Sequence, residues 1–333
     1  AQAAEKFVQE VFWRSYWKGW LEMRPEVWGR YRADLSAALN RTKTESGLRQ
    51  RWSDACNGQT GIDAFDHWAH ELVQTGYLHN HARMWFASIW IFTLALPWEL
   101  GADFFLRHLH DGDAASNTLG WRWVAGLQTR GKTYLARPDN IAKYTERRFH
   151  PTGLAPSAQP LDGPDHPARR PAPASPDWSP APRSGLLLHE DDLSPGFLFD
   201  AGLAPVAQAR LQATARRSPL SVSPPVTDFA AGALDDAAAR WRDRGGADGG
   251  RHSDPAAIAD WAQANRLEQI VTPYAPVGPV ADALDELDTA LARHDIALIR
   301  PIRAHDLRCW PHATHGFFRF KEKIPELLAA MGH

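Results

Sequence analysis

The sequence predicts an all-helical domain over residues 1–150, a proline-rich linker over 151–182, and a smaller α/β domain with a parallel sheet over 183–333. Three observations predict it. Through the first 150 positions apolar residues recur at three- and four-residue steps, with no alternating strand pattern. From Pro151 to Pro182 ten of thirty-two residues are proline, whose fixed φ and missing donor keep a chain extended. Beyond them short apolar runs alternate with helical segments, the pattern of a parallel α/β sheet.

In chain order, Phe7, Val8, Val11, Phe12, Tyr16, Trp17, Trp20 and Leu21 fall on one face of a first helix. A second helix runs from Asp63 to about Thr75 with Gly76 as its stop, a third covers HNHARMWFASIWIFTLAL up to Pro97, and a fourth is GADFFLRHLH. After the linker, strands are expected at Gly185–Leu188, Leu220–Val222, Gln269–Thr272 and Ile296–Ile299, with helices near Pro255–Ala264 and Pro279–Arg293. The result is a Rossmann-like order without a complete glycine-rich phosphate loop.

The bulk numbers exclude more than they assign. No apolar run reaches the roughly 20 residues of a membrane span, and AQAAEKFVQE lacks the pattern of a signal peptide, so a cytoplasmic protein is expected. Cys56 and Cys309 are the only cysteines, which leaves no disulfide framework and no thiolate metal site. Redox chemistry therefore has to come from a cofactor. A formal charge of −2 does not suggest nucleic acid, although a local basic patch can coexist with a neutral total. Of fifteen tryptophans, eleven lie before residue 124. Such crowding reads first as an aromatic core.

The chemistry is concentrated between Thr60 and Trp123. TGIDAFDHWAHELVQTGYLHNHARMWFAS is followed by DGDAASNTLGWRW, and the ordered spacing from Arg83 to Asp111, Asp113, Asn117 and Trp121 is joined upstream by EVFWRSYW. Over about 140 residues this set resembles the FAD-binding catalytic domain of the DNA photolyase and cryptochrome family. The resemblance implies an all-α FAD-binding domain in which Asn80, Arg83, Asp111, Gly112, Asp113 and Asn117 bind the flavin. A fixed arginine–aspartate pair suits a group whose charge changes on reduction. Taken alone, Arg83 and Asp111 read as a tie between two helices.

The resemblance also implies that Glu10, Trp13, Arg14, Met84 and Trp123 line a pocket for a flipped pyrimidine dimer, since a flipped base needs flat apolar walls and a hydrogen-bonding edge. Glu10 and Asn117 take catalytic roles by the same resemblance, and Trp121 and Trp98 match inner members of an electron relay. The family's outer tryptophan has no counterpart in ALNRTKTESGLRQ, leaving Trp52, Trp85 or Trp90 as substitutes or as core. Tyr77, His81 and Arg122 also depart from the family pattern. Met84 points to cyclobutane dimers, because relatives acting on the six-four lesion resemble a pattern with histidine there.

Two larger departures concern organisation. The family's serine- and threonine-rich phosphate cradle lies upstream of the Glu-x-x-Trp-Arg helix, so a truncated chain that holds FAD poorly by itself is expected. The α/β domain follows the helical one, and ADWAQANRLEQIVTPYAPVGPVADALDELDTALARHDIALIRP faintly resembles the end of an antenna domain, implying reversed order and an uncertain antenna chromophore. His305, Cys309, His312 and His315 fit no zinc spacing, and no metal is expected. The functional expectation is light-driven repair of cyclobutane dimers in DNA by a monomer. The competing readings are a cryptochrome-type receptor with a protein partner and a flavin-free DNA-binding scaffold.

Overall fold

The computed structural model describes residues 4–331. The chain divides into two compact units that do not follow the expected boundaries: Glu26–Pro167 with Ser218–Val226 form one, and Ala1–Pro25, Ala168–Arg217 and Thr227–His333 form the other. The first helix, α1 (Glu5–Glu22), thus belongs with the C-terminal half of the sequence.

The helical unit contains α2 (Glu26–Thr44), α3 (Ser46–Cys56), α4 (Asp63–Thr75), α5 (Asn80–Ser88), α6 (Trp98–His108), α7 (Ala114–Val124) and α8 (Pro138–Tyr144). Gly76 closes α4 in the left-handed conformation, as expected for a residue without a Cβ. Beyond α5 the helix widens into a π turn over Ile89–Thr93. The core is aromatic: Phe65 stacks on Phe86 at 4.1 Å, and Phe86 and Phe104 both stack against Trp90. The first half of the proline-rich segment is fastened to this unit, with Leu161 N–H donating to the Ala125 carbonyl and Ala155 N–H to Thr93 Oγ1. Prolines keep it extended, and these bonds make it a strap rather than a free spacer.

The second unit is built on β1 (Ser184–His189), β2 (Ala207–Leu211), β3 (Ala247–His252), β4 (Gln269–Val271) and β5 (Ala297–Ile299). All four pairings are parallel, in the order β3-β2-β1-β4-β5. Its helices are α9 (Gly196–Asp200), α10 (Pro224–Arg240), α11 (Arg242–Gly245), α12 (Pro255–Ala264), α13 (Pro279–Leu291), α14 (Ala304–Cys309), α15 (Phe317–Lys321) and α16 (Ile324–Ala330), the first turn of α10 counting with the helical unit. Successive side chains of β1 face opposite ways. Leu187 joins Ile258, Trp261, Leu284 and Leu287 on one face, while Leu186 and Leu188 join Leu198, Phe199 and Leu234 on the other.

The parallel sheet agrees with the sequence, but two of its strands do not. Leu220–Val222 is irregular chain, because Pro219, Pro224 and Pro225 around it lack the donors a ladder needs. The strand places are taken by β2 and β3. Arg210 on β2 lies between Asp235 at 3.3 Å and Asp248 at 3.0 Å.

Candidate functional site

Arg83, on the exposed flank of α5, faces Asp111 in the turn between α6 and α7. Its two terminal nitrogens meet the two carboxylate oxygens at 3.2 and 3.1 Å, and Nε donates to the Leu78 carbonyl at 2.8 Å. Three bonds hold the guanidinium in one orientation. Arg83 is 24% and Asp111 45% exposed, so the pair is preformed yet open to a ligand. Exposure limits what such a pair adds to stability to about 1 kcal/mol or less.

Asp113 caps α7 by accepting from Ser116 N–H at 2.7 Å. One turn along, Asn117 is buried and its Nδ2 donates to the Ala102 carbonyl at 2.8 Å, which fixes the amide. Asn80 is the exposed first residue of α5, and Gly112 N–H donates to the Leu109 carbonyl. The structure brings Arg83, Asp111, Gly112, Asp113 and Asn117 together around one turn, with Asn80 and Met84 on the adjoining helix.

Trp121 sits beneath that turn, buried and edge-on to Phe105 at 5.1 Å and Trp90 at 6.1 Å. α6 gives it room at Gly101, where a Cβ would overlap the indole. Trp98 is also buried and tilts against Tyr31 at 5.6 Å, which in turn meets Trp28 at 5.3 Å. Trp90 is fully buried and its Nε1 donates to the Pro97 carbonyl. It is an inner ring packed in the core rather than a surface terminus of a relay. Beside Trp98, burial first and Asp34 second push Glu99 up to about 7. Burial also raises Asp103 by more than its ion pair with Arg107 at 2.8 Å lowers it.

The residues expected to face a lesion fall in different units. Trp123, half-buried on α7, tilts against Tyr134 at 5.6 Å. Glu10, Trp13 and Arg14 lie on α1 in the sheet-containing unit, where Glu10 and Arg14 are exposed. Phe317 of α15 stacks on Trp13 at 3.5 Å and 13°. One face of the expected aromatic wall is therefore taken by this chain, a feature the sequence did not signal. The rest of α1 is fastened in the same unit: Ser15 Oγ meets His305 Nε2 at 2.8 Å, Tyr16 Oη donates to the His315 carbonyl, and Glu22 accepts from Tyr274 Oη at 2.7 Å. Burial raises the Glu22 pKa.

Other motif residues prove structural. Asp66 accepts from Thr60 N–H and Oγ1 and from Gly61 N–H, so Thr-Gly is the locked entry to α4. Arg122 is mostly buried and lowered to about 10, by burial first and Arg30 second. His305 serves Ser15 and lies 3.7 Å from Cys309 Sγ.

The helical unit thus holds a preformed, half-open arginine–aspartate pair close to a buried asparagine and tryptophan. The sequence model of the FAD binding domain of DNA photolyase matches residues 7–154. The chain is 34% identical over 150 residues to the deoxyribodipyrimidine photo-lyase of Streptomyces griseus, covering 41% of this chain and 31% of that protein. Against the enzyme of Vibrio cholerae it is 28% identical over 160 residues, covering 46% and 32%. Against that of Escherichia coli it is 30% identical over 134 residues, covering 40% and 27%. The chain thus spans about a third of the length of these curated relatives. No solved structure matches it. Among the described residues no helix is long and apolar enough to cross a membrane.

Proposed function

We propose that this chain carries the flavin-facing segment of a photolyase that splits cyclobutane pyrimidine dimers in DNA. The observation that supports it most is the doubly bonded, half-open Arg83–Asp111 pair set within the photolyase-type segment. Asn80, Arg83, Asp111, Gly112, Asp113 and Asn117 are the residues that would hold FAD. They fit a flavin edge, because the ion pair is already oriented and the Asn117 amide, with Nδ2 committed to Ala102, leaves its oxygen as the acceptor. When bound and reduced, FAD supplies the electron that light delivers to the dimer.

The chain's own residues do the rest. Arg83 and Asp111 keep a fixed dipole at the flavin edge with little reorganisation. Trp121 and Trp98, both shielded from water, serve as inner steps by which electrons are resupplied. Trp123 offers an aromatic wall to the lesion.

The test mixes the chain, FAD and a reductant with an oligonucleotide carrying one cyclobutane thymine dimer. Thymine absorbance should return under blue or near-ultraviolet light and not in darkness. Reduced, FAD-loaded protein with neither lesion preference nor repair would favour the receptor reading.

A further inference from the structure

Tyr31, on α2, is the one tyrosine among the described residues whose hydroxyl is buried without a hydrogen-bond partner. Tyr16 and Tyr274 are committed, to the His315 carbonyl and to Glu22. A dry, unbonded hydroxyl is costly, and phenylalanine would fill the same space without that cost. Packing alone does not account for the oxygen.

A matching acceptor lies on the neighbouring helix. α6 packs beside α2, and its Asp103 is buried, with Oδ2 taken by Arg107 Nε at 2.8 Å and Oδ1 left without a partner. Burial, and after it the Asp103 carboxylate, hold the Tyr31 hydroxyl well above its ordinary 10; Glu99 adds to the rise and Arg107 opposes it. Burial also raises Asp103 by more than Arg107 lowers it, which makes this carboxylate a stronger base than one in water.

The Tyr31 ring joins two indoles. Its centre lies 5.6 Å from that of Trp98 and 5.3 Å from that of Trp28, and all three rings are shielded from water. A phenol gives up an electron readily only when its proton leaves as well, and here a base shares the same dry space. We infer that Tyr31 is a redox-active tyrosine that refills a one-electron hole at Trp98 and passes its hydroxyl proton to Asp103. One electron moves from Tyr31 to the Trp98 indole radical cation, which returns to neutral indole. The O–H bond breaks, the carboxylate becomes a carboxylic acid, and a neutral phenoxyl radical remains. The hole itself is made by a one-electron photo-oxidant, and return of electron and proton resets the pair. This inference rests on Trp98 as an electron step in the function proposed above, yet its test needs neither FAD nor lesion, so the two can fail separately.

The experiment flashes a ruthenium polypyridyl complex and persulfate with the full chain and follows radicals by freeze-quench electron paramagnetic resonance. The background carries Tyr77→Phe and Tyr144→Phe, which removes the two exposed tyrosines. A neutral tyrosyl signal should form, persist, and form more slowly in deuterated water. Tyr31→Phe should lose that signal, and Trp98→Phe should lower its yield. Asp103→Asn should remove the isotope effect and Asp103→Glu restore it, with circular dichroism checking each fold. Tyr31→Phe should also resist urea at least as well as the parent, because it deletes only an unpaired buried hydroxyl. The inference is overturned by absence of a tyrosyl signal, by an unchanged signal in Tyr31→Phe or Trp98→Phe, or by a parent-like isotope effect in folded Asp103→Asn. A clear loss of stability in Tyr31→Phe would also overturn it, since the hydroxyl would then be structural.

Discussion

Glu99→Gln tests the electrostatics beside Trp98, and the structure fixes both its sign and its size. Burial holds the Glu99 pKa at about 7 against an ordinary 4.5, with repulsion from Asp34 added and attraction from Arg122 and Arg41 too weak to offset it. The folded protein keeps a proton that the unfolded chain has released, so stability falls as pH rises from about 4.5 to about 7 and stays lower above that. The gap corresponds to about 3 kcal/mol. Glutamine keeps the shape and removes the titration. The variant should match the parent near pH 4 and exceed it by up to about 3 kcal/mol at pH 8. His108 acts in the opposite sense. Burial lowers it to about 4, so its contribution is complete above its ordinary 6.5 and is lost as pH falls from there toward about 4. Between these limits the two slopes oppose, and removing Glu99 should expose that of His108. Urea unfolding followed by tryptophan fluorescence across this range measures both. An equal gain at pH 5 and pH 8, or none at either, would refute the reasoning.

Three further outcomes are expected. Gly101→Ala places a Cβ inside the Trp121 indole and should destabilise the helical unit by roughly 1–3 kcal/mol, with a change in near-ultraviolet circular dichroism; a neutral result would mean that Trp121 moves freely. Trp121→Phe should abolish fast light-driven reduction of bound FAD and Trp98→Phe should slow it, as read by transient absorption, whereas parent-like kinetics in both would make the two rings core residues only. Phe317→Ala should cost about 3–5 kcal/mol as a buried aromatic truncation and open Trp13 to iodide quenching; a loss below about 1 kcal/mol would show the stack to be loose and the Trp13 wall easily freed.

What could be read from the sequence followed from local periodicity. The helices α1, α4, α5 and α6 announce themselves by apolar spacing, and Gly76 marks the end of α4. Strand β3, ADGGRH, is polar and half-exposed with two glycines, so no apolar run signals it; its place comes from backbone pairing with β2. Leu220–Val222 erred the other way, since apolar character cannot supply the donors that neighbouring prolines remove. The site divides similarly. Arg83 and Asp111 were legible because a motif fixes their separation along the chain, and the geometry then adds their paired bonds. Nothing local could reveal that Phe317 would stack on Trp13 or that Tyr274 would hold Glu22, for these partners are hundreds of residues apart. Such contacts constrain α1 doubly. Trp13 packs against α15, and Glu22, buried under Tyr274 and the Val277 amide, ties the helix's far end to the loop after β4. A substitution on α1 can therefore act through stability at either end of the helix, and Phe317→Ala perturbs that packing while leaving every residue of α1 in place.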